Sequence, residues 1–409
     1  MKLPIVIGSC LDFVTPTIKL RAYQECLNIS GPTRYKEKTV KFSKLAKVAL
    51  VATASFALAI PTLTSASAVG VNKFATATSA SQTGGIAGLA AQCKKEGQLN
   101  VIALPHYWAN YGDMIDGFKA KYGVKVDEAN PEGSSQDEID AANTNKGTNR
   151  SPDVFDIGVA VAAKYVGTGV FAPYKVRGWA NHIGASDVPS AEYTPNYTGT
   201  MTIGYDGSLG TITKLDDLLK PAFKGKVAIN GDPLGSSAGL NSVFMINLAL
   251  GGTFDDVSPA VAWFKKLKDV GNYINVNPTE ATIASGQTPV VMDNGYIAAG
   301  IAKTFKAAGK SWKTFTPASV GSTYNSAVSA WAPHPACARL WMEYSLGEEG
   351  ADIWATGGAT PTLWVWMVKT KRAPADGIAT IGKSKVAAAK ATADQAIKAR
   401  AYLKTAWPA

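Results

Sequence analysis

The chain has 409 residues, 46% hydrophobic and 18% charged, which is enough to bury the cores of about two domains and too apolar for a disordered or fibrous protein. Its formal charge of +10 is concentrated at the ends: residues 1–68 carry 9 Lys/Arg against 3 Asp/Glu, and residues 369–409 carry 9 against 2. The 23 basic and 26 acidic residues between them make the body slightly acidic, which argues against a nucleic-acid groove.

In chain order, the first feature is "KFSKLAKVALVATASFALAIPTLTSASAVG". Lysines lead into an apolar run from Val48, and Pro61 and small residues then end at Ala68. That is the layout of a secretory signal over residues 40–68, with cleavage expected after Ala68. The run is shorter than the roughly 20 residues needed to span a bilayer. Residues 1–39 are more than such a signal needs; if Val40 is a GTG start, they are a mis-called start region. Residues 69–85, small and polar, read as a linker.

Regular structure is expected from residue 86. "QLNVIALP" reads as a strand, and "YGDMIDGFKAKYG" places Met114, Ile115, Phe118 and Tyr122 at helical spacing before Gly123. A strand at Val124–Val126 follows, then the serine-capped, acidic "SSQDEIDAAN", and then the strand "PDVFDIG". This is β-α-β-α-β, a sheet with helices on its faces. The pattern recurs from Lys226: a strand, a helix from about Ser237 to Leu250, the helix "SPAVAWFKKLKDVG", the strand "TPVVMD", a helix from Tyr296 to Ala308, and the strand "KTFTP". Two such units predict two lobes. The Ala/Lys-rich tail reads as a solvated terminal helix packed by its alanines.

Chemistry-bearing motifs are sparse. There is no G-x-x-x-x-G-K-[ST], H-E-x-x-H or G-x-S-x-G, and His106, His182 and His334 form no cluster of metal spacing. A binding protein without a cofactor is favoured over a secreted enzyme. Cys10 and Cys26 fall in the part expected to be removed. That leaves Cys93 and Cys337 as either a disulfide or two buried thiols.

Over residues 86–370 the chain resembles the extracellular solute-binding proteins of ABC transporters. It is similar to the two-lobed type II periplasmic-binding kind, near the polyamine, iron and 2-aminoethylphosphonate binders. The resemblance is carried by "LNVIALPHYWANYGDMIDGFKAKYGVKV", "SPDVFDIG", "DDLLKPAFKGKVAINGDP", "ATIASGQTPVVMD" and "PHPACARLWMEYSLGEEGADIWATGGATP", in this order. It implies an α/β fold of two lobes joined by two crossing strands, with the ligand between them. The crossings are expected near Thr200–Tyr205 and Phe315–Tyr324. Residues 86–200 and 325–409 then form lobe 1, and 201–324 form lobe 2. It further implies a monomer that closes on a small solute and delivers it to a membrane permease with its ATPase, from the extracellular face of the membrane.

Strand ends and helix starts facing such a cleft supply the candidate contacts. They are Tyr107 and Trp108 after the first strand, Asp156 after the third, and Asp232, Ser236 and Ser237 in "GDPLGSS". Asp293 and Tyr296 after "TPVVM", and Tyr324 at the second crossing, complete the set. Helix capping is the bland role for each acid; Tyr111 reads as core and Asp153 as a turn residue. Acids with aromatic faces favour a cationic, amine-containing solute of polyamine type. Two alternatives stay open. The serines with helix amides suit an aminophosphonate or other anion, and Tyr107, Tyr296 and Tyr324 could gather around ferric iron, although the consecutive tyrosine pair usual in iron-binding relatives is absent.

Overall fold

The computed structural model describes residues 72–384 and 388–408; the expected signal sequence (40–68) and start region (1–39) lie outside the described residues. The strands are β1 Gln98–Ile102, β2 Lys125–Ala129, β3 Val154–Gly158, β4 Phe171–Ala172, β5 Thr194–Asp206, β6 Val227–Ile229, β7 Val290–Asn294, β8 Trp312–Phe315, β9 Gly321–Ser329 and β10 Thr360–Pro361. The helices are α1 Lys73–Thr76, α2 Gly85–Glu96, α3 Tyr111–Tyr122, α4 Ser135–Thr144, α5 Val159–Tyr165, α6 Ser237–Ala249 and α7 Ser258–Asp269. They continue as α8 Glu280–Ala284, α9 Gly295–Ala307, α10 Pro335–Ser345, α11 Glu348–Thr356, α12 Trp364–Lys369, α13 Ala375–Ile381 and α14 Ala393–Ala406.

Local chemistry explains the elements that border the site. α3 buries Tyr111, Met114, Ile115 and Phe118, an i, i+3, i+4, i+7 stripe, and stops at Gly123, whose φ of 64° only glycine adopts without strain. α4 starts with a reciprocal cap: the Ser134 hydroxyl accepts from Asp137 N, and the Asp137 carboxylate accepts from Ser134 N. α6 begins at the Ser236 cap and is apolar on nearly every side, so it is buried on nearly every side.

β5 ties the sheet system together. Its first half, Thr194–Thr200, pairs antiparallel with β9, and its second half, Met201–Asp206, pairs with β7 and β8, so the strand changes partners at Thr200/Met201. β9 also carries β3 and β4, and β7 carries the parallel β6. β1 and β2 form a parallel pair beside β3, to which β1 is tied by Asp153 N donating to the Asn100 carbonyl at 3.0 Å. This is the type II two-lobed α/β fold, with β5 as the strand that runs through both lobes and β9 beginning where the second crossing ends.

Two large cores correspond to the lobes. The first gathers Leu99, Phe118, Trp341, Tyr344 and Trp354, and the second Ile203, Leu218, Phe244, Phe264 and Met292. The lobes also touch. Ile297, Ile301 and Phe305 of α9 join the first core. A Cβ on Gly158, at the end of β3, would lie 1.9 Å from Ser237 Oγ, and one on Gly300 would lie 2.4 Å from the Tyr107 carbonyl oxygen. Cys93 and Cys337, both fully buried, are joined as a disulfide that binds α2 to α10 across 244 residues, worth about 5 kcal/mol as an upper chain-entropy figure.

Three expectations need correction. Residues 69–85 are not a loose linker where described: α1 packs on α10, and the turn Ala80–Thr83 packs on α2 and α1. The buried Arg339 there donates to the carbonyls of Ala77 (2.8 Å), Ala75 (2.7 Å) and Pro335 (3.1 Å). Small residues allowed that close approach, which composition alone reads as a spacer. Second, residues 325–409 do not all belong to lobe 1. α14 buries Ala396, Ala399 and Leu403 in the second core, and Trp407 packs on Phe264 at 4.8 Å. The tail holds these two large apolar anchors at its far end, past the lysines that suggested a solvated helix. Third, Asp153 is no turn residue. It is fully buried and accepts from Asn100 N (2.7 Å), His334 N (2.7 Å) and His334 Nδ1 (2.8 Å), fastening β1, β3 and the start of α10.

If the terminal helix is integral to lobe 2, Leu403→Ala should cost about 2–5 kcal/mol in urea unfolding. Ile397→Ala, on the exposed face of the same helix, should stay within about 0.5 kcal/mol. Equal effects would mean the helix is not docked.

Candidate functional site

A cavity of about 370 Å³ lies between the lobes. One wall is built from Ala103 and Trp108 after β1, from Glu132 to Glu138 at the start of α4, and from Asp156 in β3. The other is the loop from Asn230 to Ser236 between β6 and α6, with Asn277, and Tyr324 of β9 closes the end at the hinge. Glu132, Asp137, Glu138, Asp156 and Asp232 are the charged side chains of this lining; no lysine, arginine or histidine takes part.

Asp156 and Glu138 are the two buried acids of this lining, and Asp156 lies on β3. Its Oδ2 accepts from the Tyr197 hydroxyl at 2.6 Å, while Oδ1 is buried without a partner. Its backbone N–H donates to Glu138 Oε2 at 2.8 Å, so the two carboxylates sit side by side in the wall. Burial pushes Asp156 up to about 7, against the opposing pull of the Tyr197 hydrogen bond. Glu138 is raised well above the usual range by burial, and the neighbouring Asp156 charge adds to it. Glu132, raised by burial, accepts from the Tyr107 hydroxyl at 3.1 Å.

An aromatic corner backs this acid pair. Tyr197 stacks on Tyr324 with centroids 5.7 Å apart and planes within 7°, and Trp108 meets Tyr324 edge-on at 5.5 Å. Trp108 Nε1 is buried without a hydrogen bond. The backbone beside it is strained, since Ala103, Ala109 and Asn110 all adopt positive φ, a conformation that non-glycine residues keep mainly where the surroundings impose it.

Of the nine expected contacts, Trp108, Asp156, Asp232, Ser236 and Tyr324 line the cavity. Asp232 is an exposed rim residue whose Oδ1 accepts from Leu234 N at 2.9 Å, an Asx turn. Ser236 spends its hydroxyl on the fold, donating to the Asn230 carbonyl (2.8 Å) and accepting from Gly239 N (3.0 Å). The other four do not line the cavity. Tyr107 is turned toward Glu132, Ser237 packs against Gly158, and Tyr296 is buried edge-on against Tyr197 at 5.5 Å. Asp293 is buried behind Asn230, accepting from its Nδ2 at 2.7 Å, and burial lifts its carboxyl to about 7. It fixes the Asn230 amide through one N–H, which orients the group with its carbonyl Oδ1 as an acceptor.

Glu132, Glu138, Asn230 and Tyr197 were missed. Glu138 lies inside a helix whose acidic first turn reads as capping, and Tyr197 lies where no strand was placed. The one sequence signal was the density of acids in "EGSSQDEID".

The sequence profile of the family described as "Bacterial extracellular solute-binding protein" matches residues 149–377, more than half of the chain. The chain belongs to this family. Among solved structures, this solute-binding protein is similar to the periplasmic binding protein AgtB from A. tumefaciens R10 in complex with agropinic acid: 16% identity, TM-score 0.55, covering 76% of this chain and 96% of that one. It is also similar to the GacH receptor of Streptomyces glaucescens GLA.O, solved unliganded and with acarbose (15%, 0.52, 76% and 98%). A proposed spermidine/putrescine ABC transporter from Listeria monocytogenes is a third (14%, 0.51, 76% and 99%). At these identities the likeness carries the fold alone. No curated protein sequence matches it. The family is one of solute-binding proteins and not of enzymes. No helix among the described residues is long and apolar enough to cross a membrane.

The buried acids set a pH dependence. Between about pH 4, where an unfolded aspartate ionises, and about pH 7, the folded protein keeps protons on Asp156 and Asp293 that the unfolded chain has released. That contribution to stability is full below pH 4, falls as pH rises, and is lost above about 7. The ligand-free protein should therefore melt at a lower temperature at pH 7.5 than at pH 5. Asp156→Asn should flatten that slope and raise the melting temperature at pH 7.5 by a few degrees. A variant curve as steep as the wild-type one would remove Asp156 from this role.

Proposed function

We propose that this solute-binding protein captures a small cationic, amine-containing solute of polyamine type between its lobes and hands it to an ABC permease. The observation that carries the reading is the cavity lining: five carboxylates, two of them buried side by side at Asp156 and Glu138, with no cationic side chain. An ammonium group would supply the missing partner of Asp156 Oδ1 and relieve the repulsion that burial imposes on the pair. The side-chain carbonyl of Asn230 adds an acceptor, and the faces around Trp108 and Tyr324 suit a methylene chain or a cation. An anionic solute would have to overcome those charges with the amides of α4 and α6 alone. Ferric iron is less favoured: of Tyr107, Tyr296 and Tyr324, only Tyr324 lines the cavity, while Tyr107 donates to Glu132 and Tyr296 is buried against Tyr197.

Export through a signal cleaved after Ala68, action as a monomer, and work at the outer face of the membrane complete the reading. Capture proceeds by closure. A solute touching both walls favours the form in which Gly158 meets Ser237 and Gly300 meets Tyr107.

Calorimetry with spermidine, putrescine, 2-aminoethylphosphonate, phosphate and a maltooligosaccharide tests the reading. A polyamine should bind, and Asp156→Asn and Glu138→Gln should each weaken it by about 1.5–3 kcal/mol, as for a lost hydrogen bond to a charged group. Affinity should fall as pH drops below about 7, because Asp156 must release its proton to hold the ammonium. Binding of only the sugar or phosphate would overturn the amine reading. Closure has its own check: Gly300→Ala adds a Cβ 2.4 Å from the Tyr107 carbonyl oxygen, where this structure has no room, so affinity should drop about tenfold, equivalent to 1.4 kcal/mol. Unchanged affinity would show that this contact is not part of the bound form.

A further inference from the structure

The terminal helix reaches the cleft from behind. Arg400, on α14, donates from Nε to the Pro233 carbonyl at 3.2 Å. Pro233 sits between Asp232 and Gly235, two residues of the cavity wall. The guanidinium charge lies within electrostatic reach of Asp232 and Tyr324, and Nη2 is buried without a hydrogen-bond partner. The residue as a whole is half-buried, so this one buried donor, left unsatisfied beside the loop, asks for an explanation.

The support on which Arg400 stands is rigid. Leu403 and Trp407 anchor the helix in lobe 2, and Ala389 pairs with Val320 at the start of the hinge strand β9, with Gly321 N donating to the Ala389 carbonyl at 2.8 Å. The loop it touches is held mainly from within, by Leu234 N on Asp232 Oδ1 and by Gly235 N (3.0 Å) and Ser236 N (2.6 Å) on the Asp232 carbonyl. All three bonds turn on Asp232, so any rotation of that residue loosens the whole turn.

We propose that Arg400 is a positioning residue for the capture site. It clamps the Asp232–Gly235 turn through the Pro233 carbonyl, sets where the Asp232 carboxylate stands, and makes the C-terminal helix part of the binding machinery. Because coupling is reciprocal, a solute that engages Asp232 tightens the docking of α14, and loosening α14 weakens capture. The inference rests on the reading of the Asn230–Ser236 loop as a ligand loop, and its test is built to run with or without a ligand.

Hydrogen exchange on the purified chain decides it. In Arg400→Met, which keeps the length and loses the donors and the charge, the amides of Leu234 to Ser236 should exchange about tenfold faster while those of β9 stay unchanged. Arg400→Lys, which can still donate to Pro233, should restore most of the protection. Unchanged loop exchange in Arg400→Met overturns the proposal. So does acceleration that includes β9, which would assign Arg400 to general stability, and so does equal acceleration in both variants, which would assign it to packing. With spermidine added, exchange across α14 should slow in the wild type and not in Arg400→Met. If spermidine does not bind at all, the amine reading fails while the loop exchange still decides the role of Arg400.

Discussion

The carboxylate of Asp156 is the charge around which the cleft is organised. A buried aspartate set between the phenols of Tyr197 and Tyr111, with no cation beside it and a second carboxylate against its own backbone, is a costly arrangement. The fold sustains it by drawing each part from a different element. β3 brings the acid, β5 brings Tyr197, α4 brings Glu138, and β9 brings the ring of Tyr324 that stacks on Tyr197. None of these could shift without exposing the others. The pair therefore persists as a preformed deficit of positive charge in a space open to a solute, and only a partner from outside can fill it.

How much of this could be read in the sequence depended on whether the signal was local. The helix over Tyr111–Tyr122 and its stop at Gly123 follow from spacing and one glycine, and the strand ending at Asp156 follows from an apolar run closed by an acid. Both are properties of a few neighbouring residues. The division of labour among the acids was not local. Asp156 and Asp293 look alike in sequence, each an acid at the end of an apolar strand, yet one lines the cavity and the other stands behind Asn230. Which of them faces the solute is decided by the loop Asn230–Ser236 folding over β7, a tertiary fact. Tyr197 and the anchoring of the tail by Leu403 and Trp407 were illegible for the same reason. Their partners lie far off in sequence, and the helical spacing of Ala396, Ala399 and Leu403 does not say which lobe they pack against.

Helix starts and acids compete at this site. α4 and α6 both begin at the cavity, and each presents backbone amides equivalent to roughly half a positive charge. Part of that is consumed locally, by the Asp137 carboxylate closing the cap of α4 and by the Ser236 hydroxyl at α6. The four other carboxylates of the lining face what remains. The balance is negative, so the helix starts serve to make buried acids tolerable more than to attract an anion. This is why the capping role of these residues and their role in capture are not alternatives: the caps set the geometry in which the unspent carboxylates, Asp156 and Glu138, face inward.

The two ends of the described chain are fastened to different lobes. Arg339 grips the carbonyls of Ala75 and Ala77 on lobe 1, while Leu403 and Trp407 lock the terminal helix into lobe 2. Any motion of the lobes must then pass through three places, β5 at Thr200/Met201, the start of β9, and the segment around Ala389 that pairs with it. The third is unlike the others. It leads into the helix that touches Pro233, so a displacement at the hinge is carried to the loop that borders the cavity. Hinge and binding loop are thus connected by a path of backbone pairing and one arginine, in addition to the solute itself.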